Sequence, residues 1–201
     1  VLGIINCPIN KKLLKKDNFG VTEYLAAKNK IKKNSEVMLI RNKSFSVSPL
    51  TTHADIKRVS KNLNTKIIID KIKTIHNWYK KNFNIKPKIG VTGLNPHNAE
   101  LRKNSEEVKI IIPAIKKLKK LNIHVKGPLV TDTLFINDYK KFDVIVGMYH
   151  DQVLAPFKSL YKFDAINVTL GLRYLRLSPD HGTSEKLIGK RKAKETSLMR
   201  C

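Results

Sequence analysis

Short apolar runs of β-strand character alternate with helical patterns along the chain, and this alternation restricts the fold more than any other feature. It is typical of a mostly parallel sheet covered by helices. The run Val144-Ile145-Val146 is entirely apolar, which suits a strand buried on both faces. The pattern predicts strands at 2–6, 36–40, 44–48, 88–92, 125–129, 143–149 and 165–170. It predicts helices at 22–29, 54–63, 65–83, 105–121 and 151–160.

The helix predicted at 105–121 has the clearest boundary signals. Ser105 can cap its first turn, and Glu106 and Glu107 lie where negative charge favours the positive helix end. Apolar residues recur at spacings of three and four, at Val108, Ile111, Ile115 and Leu118. The lysines fall mostly on other faces, as on a solvated helix. We expect Pro113 to bend this helix.

The 201 residues suffice for a sizeable hydrophobic core. The two cysteines, Cys7 and Cys201, can build neither a disulfide framework nor a CxxC metal site, which fits a reducing compartment. No apolar run approaches the roughly 18 residues of a membrane span, and no signal peptide opens the chain. We therefore expect a cytoplasmic protein with no membrane association. The start at Val1 indicates a processed or partial chain.

The formal net charge of +24 has two explanations. A dedicated nucleic-acid reader uses arginine for bidentate contacts, but the 40 basic residues comprise 33 lysines and 7 arginines. Many Asn and Ile accompany the lysines, and all three residue types have A/T-rich codons. We favour codon bias and expect no specific nucleic-acid partner. A basic nucleic-acid-binding protein remains the alternative from another functional class.

Four of the six histidines lie at predicted strand ends or turns: His53, His97, His150 and His181. His76 and His124 lie in settings that favour surface or packing roles. The carboxyl ends of strands form the ligand crevice of an open α/β sheet, so distant histidines can converge there. Three neutral imidazoles would make a divalent-metal site with open positions. Taken singly, each histidine is better explained as an unrelated loop residue.

A second polar cluster follows His150. Lys158, Asn167, Arg173 and Arg176 bracket a predicted strand, and cations with an amide suit a ligand that carries phosphate or carboxylate. Solvated surface cations are the alternative explanation. The standard dinucleotide fingerprint GxGxxG, the P-loop and the GxSxG nucleophile elbow are all absent from the sequence.

Taken together and in order, eight stretches resemble the 4-hydroxythreonine-4-phosphate dehydrogenase family. They are Cys-Pro-Ile-Asn-Lys at 7–11, Gly-Val-Thr-Glu-Tyr-Leu-Ala at 20–26, Leu-Thr-Thr-His at 50–53, Gly-Leu-Asn-Pro-His at 93–97, Gly-Pro-Leu-Val-Thr-Asp-Thr-Leu-Phe at 127–135, Met-Tyr-His-Asp-Gln at 148–152, Asn-Val-Thr-Leu-Gly-Leu at 167–172 and Asp-His-Gly-Thr at 180–183.

The resemblance implies three groups of site residues. The positions that match the family's metal ligands are His53, His97 and His150, and they would act in catalysis through the metal. The positions that match its substrate contacts are Thr22, Lys158, Asn167 and Arg176. The stretch Asp180, His181, Gly182 and Thr183 resembles the loop that holds the dinucleotide in related enzymes.

The resemblance also implies a fold and an activity. The fold is the two-lobed α/β/α fold of isocitrate and isopropylmalate dehydrogenases, with its N-terminal part missing. Residues 1–12 and 153–201 would belong to the outer lobe, and residues 13–152 to the middle lobe. The activity is oxidation of 4-phosphooxy-L-threonine, a small phosphorylated substrate, in vitamin B6 biosynthesis. It would use NAD, with NADP as the alternative, and a Zn, Mg or Co cation, in a homodimer with the active site at the interface.

Three departures from the family pattern affect this interpretation. Val21 replaces a substrate-contacting histidine, so a D-threonate or D-erythronate 4-phosphate dehydrogenase is the alternative within the family. The glycine-rich run after Asn-Pro-His is replaced by the basic, glycine-free segment 98–104. The family's first hundred or so residues have no counterpart and its final helix is cut short after Cys201, so this chain is expected to be a fragment, incomplete at both ends, that is inactive alone.

Overall fold

The computed structural model describes residues 3–10, 21–28 and 36–201, with residues 22, 23, 26 and 27 described by their backbone only. The strands are β1 (Gly3–Ile5), β2 (Val37–Arg41), β3 (Ser46–Thr51), β4 (Ile89–Thr92), β5 (Val125–Leu129), β6 (Val144–Tyr149), β7 (Ile166–Leu170) and β8 (Leu175–Pro179). The α-helices are α1 (Val21–Lys28), α2 (Ile56–Asn62), α3 (Thr65–Phe83), α4 (Ile112–Lys120), α5 (Thr131–Leu134), α6 (His150–Tyr161) and α7 (Thr196–Met199). The strands form one sheet in the order β1-β8-β7-β2-β3-β6-β4-β5.

The sheet is mixed, so the expectation of a mostly parallel sheet was wrong for one half of it. Strands β3, β6, β4 and β5 are mutually parallel, whereas β2 runs antiparallel to both β3 and β7, and β7 runs antiparallel to β8. For β2–β3 and β7–β8 the reason is a short connection, which joins antiparallel strands only. Between β2 and β3, the Asn42 side chain accepts hydrogen bonds from Ser44 N (2.9 Å) and Phe45 N (2.8 Å) and closes a tight turn.

The sheet buries apolar side chains on both faces. In β6, Val144 and Val146 join a cluster with α3 and α4, whereas Ile145 joins a second cluster with α6. The alternation follows from the two-residue period of a strand. The prediction that 143–149 contains a strand buried on both faces is confirmed, since Val144, Ile145 and Val146 are all 0% exposed.

The helix predicted at 105–121 is divided. Ser105 Oγ accepts a hydrogen bond from Val108 N at 3.4 Å, as a cap should. A π-helical turn then spans Glu107–Ile111, and α4 begins at Ile112. Pro113 explains the change, because it lacks an N–H and its ring clashes with the carbonyl four residues earlier. In place of a simple bend, the helix therefore has a widened π-helical turn just before Pro113.

In the described part of the chain, each helix is too short or too polar to cross a membrane. The strands of the sheet come from both of the lobes proposed from sequence, and the boundaries at residues 12 and 152 stay a prediction.

Candidate active site

Four adjacent parallel strands end at one edge of the sheet, and each end carries a polar side chain. His53 follows β3, His150 follows β6, His97 follows β4 and Asp132 follows β5. Because the strand order is β3-β6-β4-β5, these four side chains follow one another along the edge. We call this row of four residues the carboxyl edge. It is the position at which open α/β sheets bind ligands.

His53 and His150 form a pair at the carboxyl edge. Their ring centroids are 6.1 Å apart and their planes are inclined by 31°. His150 Nδ1 lies 2.6 Å from Asp151 Oδ1, the carboxylate–imidazole contact that commonly orients metal-binding histidines. The other ring nitrogen of His150, Nε2, is then the one that can bind a metal.

His97 lies apart from this pair. Its Nε2 is 3.5 Å from Asp132 Oδ2, and both side chains are more than half exposed, at 69% and 58%. Over residues 3–10, 21–28 and 36–201, no three His, Cys, Asp or Glu side chains lie close enough together to hold a metal ion. The structure therefore brings together two of the three predicted metal ligands, and the three-histidine set stays a prediction.

Gln152 links three of the strand ends, and sequence reasoning did not single it out. Its Oε1 accepts hydrogen bonds from Met148 N (2.7 Å) and Thr92 Oγ1 (2.9 Å). Its Nε2 donates to Gly93 O (2.7 Å) and to Thr131 Oγ1 (3.3 Å). One nearly buried amide thus joins the ends of β6 and β4 to the first residue of α5, the helix that comes after β5.

Glu107 is a second residue that sequence reasoning assigned differently. It was interpreted as a favourable charge at a helix end, but its side chain is fully buried at 0% exposure. Its Oε1 accepts hydrogen bonds from Leu94 N and Asn95 N, both at 2.8 Å. Burial raises the pKa of the Glu107 carboxyl, but the hydrogen bonds from Asn95 and Leu94 lower it by more, so the net pKa is below its usual value.

Two of the predicted substrate residues share one face of the sheet. Asn167 and Thr169 are two apart on β7, and Arg176 of β8 is paired with Thr169, so their side chains point the same way. The nearly buried Arg176 donates to Thr169 Oγ1 at 3.0 Å and to Asn6 Oδ1 at 2.8 Å. Asn167 Oδ1 is a buried atom with no hydrogen-bond partner among the described residues.

Lys158 and Asp180 form an ion pair beside this face. Lys158 Nζ lies 3.0 Å from Asp180 Oδ2 and donates to Asp180 O at 2.7 Å. Asp180 is 7% exposed; burial raises the pKa of its carboxyl, and Lys158 opposes that rise without cancelling it. Asp180, predicted to contact the dinucleotide, thus directly contacts a predicted substrate residue. Thr22 lies in α1, but its side chain lies outside the described part.

The remaining predicted dinucleotide residues lie in an open loop. His181 Nδ1 is 2.9 Å from Gly182 O, and its ring meets Phe163 edge-on at 5.9 Å between centroids. A Cβ placed on Gly182 would contact nothing within 4 Å. Thr183 and the four residues after it line an open cavity of about 540 Å³.

The chain matches a protein-family model over residues 1–201, described as "Pyridoxal phosphate biosynthetic protein PdxA". It belongs to this family. A curated relative named 4-hydroxythreonine-4-phosphate dehydrogenase, from Aquifex aeolicus, is 42% identical over 201 residues, which cover 98% of this chain and 62% of that protein. The chain thus spans about 62% of the relative's length.

Solved structures agree with this assignment. A 4-hydroxythreonine-4-phosphate dehydrogenase from Klebsiella pneumoniae matches with a TM-score of 0.83 at 31% identity, covering 98% of this chain and 62% of that one. An isocitrate dehydrogenase from Methylococcus capsulatus matches in fold alone, with a TM-score of 0.61 at 11% identity, covering 98% of this chain and 65% of that one. The isocitrate dehydrogenase-like α/β fold predicted from sequence is therefore confirmed.

Proposed function

We propose that the protein oxidises the secondary hydroxyl of 4-phosphooxy-L-threonine with NAD and a divalent cation, in the synthesis of pyridoxal phosphate. The product, 2-amino-3-oxo-4-(phosphooxy)butanoate, loses CO2 to give 3-amino-2-oxopropyl phosphate. The observation that carries the proposal is the carboxyl edge: two paired imidazoles, with a third histidine after the neighbouring strand of the same edge, in a chain whose relatives are named for this reaction.

The donor set of the carboxyl edge fits a divalent cation. His53 and His150 would hold the metal from adjacent strands, with Asp151 orienting His150, and His97 is the third proposed ligand. When bound, such a cation lowers the pKa of a coordinated hydroxyl and so favours loss of hydride to NAD. Of the three proposed cations, Zn²⁺ and Co²⁺ suit imidazole ligands, whereas Mg²⁺ prefers oxygen ligands.

The polar face of β7 and β8 fits the substrate's charged groups. Lys158 and Arg176 supply the positive charge that phosphate or carboxylate requires, and Arg176 is held in a fixed direction by Thr169 and Asn6. The buried Asn167 Oδ1 can accept a hydrogen bond from a substrate amino or hydroxyl group, which would remove the cost of its unmet acceptor. Fixed donors and acceptors of this kind orient a substrate for reaction.

The loop from His181 to Leu187 fits the cofactor. Gly182 leaves open space above its Cα, and part of the dinucleotide would lie in the open cavity that Thr183 and the following residues line. We assign NAD rather than NADP to this loop from the family resemblance.

We further propose a cytoplasmic homodimer whose active site lies at the interface. The described residues gather two of the three histidines, so a second copy of the chain could complete the set. Because the chain spans 62% of its relative's length, residues outside this sequence are expected to contribute to turnover.

The proposal is tested by NADH absorbance with 4-phosphooxy-L-threonine, using the protein expressed from its complete reading frame. Exhaustive chelation should abolish turnover, and added Zn²⁺, Mg²⁺ or Co²⁺ should restore it. His150→Ala should lower kcat/KM at least about 100-fold if the metal carries the chemistry. His124→Ala is the matched control, because His124 is exposed and precedes β5 at the opposite edge of the sheet. Full activity of His150→Ala after chelation would refute the metal role.

Val21 supports a second substrate class. It stands at the start of α1, where the family resemblance leads to a substrate-contacting histidine. Comparing kcat/KM for 4-phosphooxy-L-threonine with that for D-threonate and D-erythronate 4-phosphates separates the two. A clear preference for the sugar acids would replace our substrate assignment.

A further inference from the structure

Three consecutive backbone units after β4 are held by side chains and strands from elsewhere in the fold. Gly93 N donates to Leu129 O at 3.0 Å, and Gly93 O accepts from Gln152 Nε2 at 2.7 Å. The next two amides, Leu94 N and Asn95 N, both donate to Glu107 Oε1. The segment 93–95 is therefore fixed in position although it lies outside any strand or helix.

The environment of Glu107 is unusual for a carboxylate. A fully buried charge is costly unless hydrogen bonds compensate for lost hydration. Here two backbone amides and the Asn95 side-chain amide, at 3.1 Å from Oε2, supply those bonds. A merely solvated helix-end charge would need none of them. The packing is also close, since a Cβ on Gly93 would lie 3.2 Å from Glu107 Oε1 and 2.1 Å from Asn98 Oδ1.

His97 follows this fixed segment by two residues. The intervening Pro96 restricts its own φ to about −65°. Few free torsions therefore separate the backbone bound by Glu107 from the imidazole of His97. If the 93–95 backbone lost one of these hydrogen bonds and shifted, His97 would shift with it, relative to Asp132 and to the other two histidines of the carboxyl edge.

We propose that Glu107 is the positioning residue of His97: by accepting the Leu94 and Asn95 amides, it fixes the segment that places this imidazole at the carboxyl edge. The inference rests on the proposed function for the statement that His97 binds a metal. The statement that Glu107 sets the position of His97 is independent of the proposed function. The two statements can therefore fail separately.

The test compares three variants of the chain. Glu107→Ala removes the acceptor. Glu107→Gln keeps an oxygen for both backbone amides and should restore the geometry. Glu106→Gln is the matched control, because this neighbouring carboxylate contacts Ser60 Oγ and the Asn95 side chain but, among the described residues, accepts no backbone amide of 93–95.

The first readout needs no metal. In Glu107→Ala, native-state exchange of the Leu94 and Asn95 amides should be at least about tenfold faster, because bonds to a charged acceptor are the strong ones. The ring resonances of His97 should shift, whereas amide exchange of Val146, in the centre of β6, should stay unchanged and show that the fold is kept. Glu106→Gln should resemble the wild type. Glu107→Gln should lie between the wild type and Glu107→Ala, because its neutral oxygen keeps both backbone bonds but its Nε2 cannot accept from Asn95 Nδ2. Unchanged His97 resonances in Glu107→Ala would overturn the inference.

The second readout uses Co²⁺ alone, followed by its visible absorption. Glu107→Ala should weaken Co²⁺ binding about 10- to 100-fold, the usual effect of removing a residue that orients a ligand. Glu107→Gln should recover most of that loss. If the wild type binds no Co²⁺, the proposed metal role fails, and the exchange and His97 resonances still decide the role of Glu107. If the wild type binds Co²⁺ and Glu107→Ala binds it with the same affinity, the inference is contradicted.

Discussion

Five consecutive residues after Pro96 adopt positive φ. The values are 49° at His97, 55° at Asn98, 50° at Ala99, 45° at Glu100 and 54° at Leu101. For a residue with a Cβ, this left-handed region is less favourable than the right-handed helical region by roughly 1–2 kcal/mol of conformational energy. This is the segment where the family resemblance leads to a glycine-rich run, so the chain adopts a glycine-like conformation with bulkier residues. Such strain is commonly kept beside functional sites.

Glycine at an exposed position of this turn should relieve strain. We expect Glu100→Gly to raise the free energy of unfolding by about 1 kcal/mol, measured by urea denaturation, because glycine tolerates positive φ and Glu100 is exposed. Lys117→Gly, at an exposed position in α4, should lower it by about 1 kcal/mol and serves as the control of opposite sign. Equal destabilisation by both substitutions would contradict the strained conformation.

Residue types predicted part of the site and missed the rest. Polar residues at strand ends led to His53 and His150, which the structure pairs. Glu107 and Gln152 could not be assigned in this way. Leu94 N and Asn95 N bond to Glu107, and Met148 N and Gly93 O bond to Gln152, and backbone groups leave no mark in the sequence. Only the burial of a carboxylate would have signalled Glu107, and burial is a property of the fold.

Among the elements, α3 was predicted with both ends correct, and its boundaries have physical causes. Asn64 Oδ1 accepts a hydrogen bond from Ile67 N at 2.9 Å and caps the start, and Asn84 ends the helix in the left-handed region at φ 55°. Strand β8 was missed. Its residues alternate between apolar and polar, but the polar Arg176 and Ser178 are the nearly buried ones, whereas Leu175 is 41% exposed, so the pattern did not stand out as a strand.

The apolar face of α3 should contribute strongly to stability. Ile72 is 0% exposed and belongs to the core cluster beneath the sheet. We expect Ile72→Ala to lower the free energy of unfolding by about 2–5 kcal/mol, because it removes buried methyl groups and leaves a cavity. Ile56→Ala, at a side chain that is 70% exposed, should cost far less in the same urea titration. Comparable losses would show that α3 does not pack as described.

At the scale of the whole molecule, the basic residues behind the net charge of +24 are spread along the sequence. The lysines of α4 at 116, 117, 119 and 120 are exposed, as the helical pattern predicted. Lys71 is the exception in α3: it is 5% exposed and donates to Leu50 O at 3.0 Å. A few basic residues thus have structural or proposed substrate roles. The solvated lysines of α4 have neither, and codon bias explains such lysines.

This distribution gives a prediction about nucleic acid. Duplex DNA should bind weakly and only at low salt, because scattered lysines release counterions without reading bases. Fluorescence anisotropy with a labelled 20-base-pair duplex at 50 and 200 mM KCl checks it. Binding should be lost at the higher salt. Submicromolar affinity at 200 mM KCl would instead favour the nucleic-acid-binding alternative.

The order of strands has a consequence for how the protein folds. At one side of the sheet, β1 pairs in parallel with β8, so that Gly3 lies beside Leu175. Closing so long a loop costs entropy before the contact repays it, and contacts of this kind slow folding. On the ribosome, β1 emerges before β8 and stays without this partner until Leu175–Pro179 has been made. Strand β1 therefore pairs with β8 late in synthesis, and until then the hydrogen-bonding edge that β8 will cover is open to chaperones or to other chains.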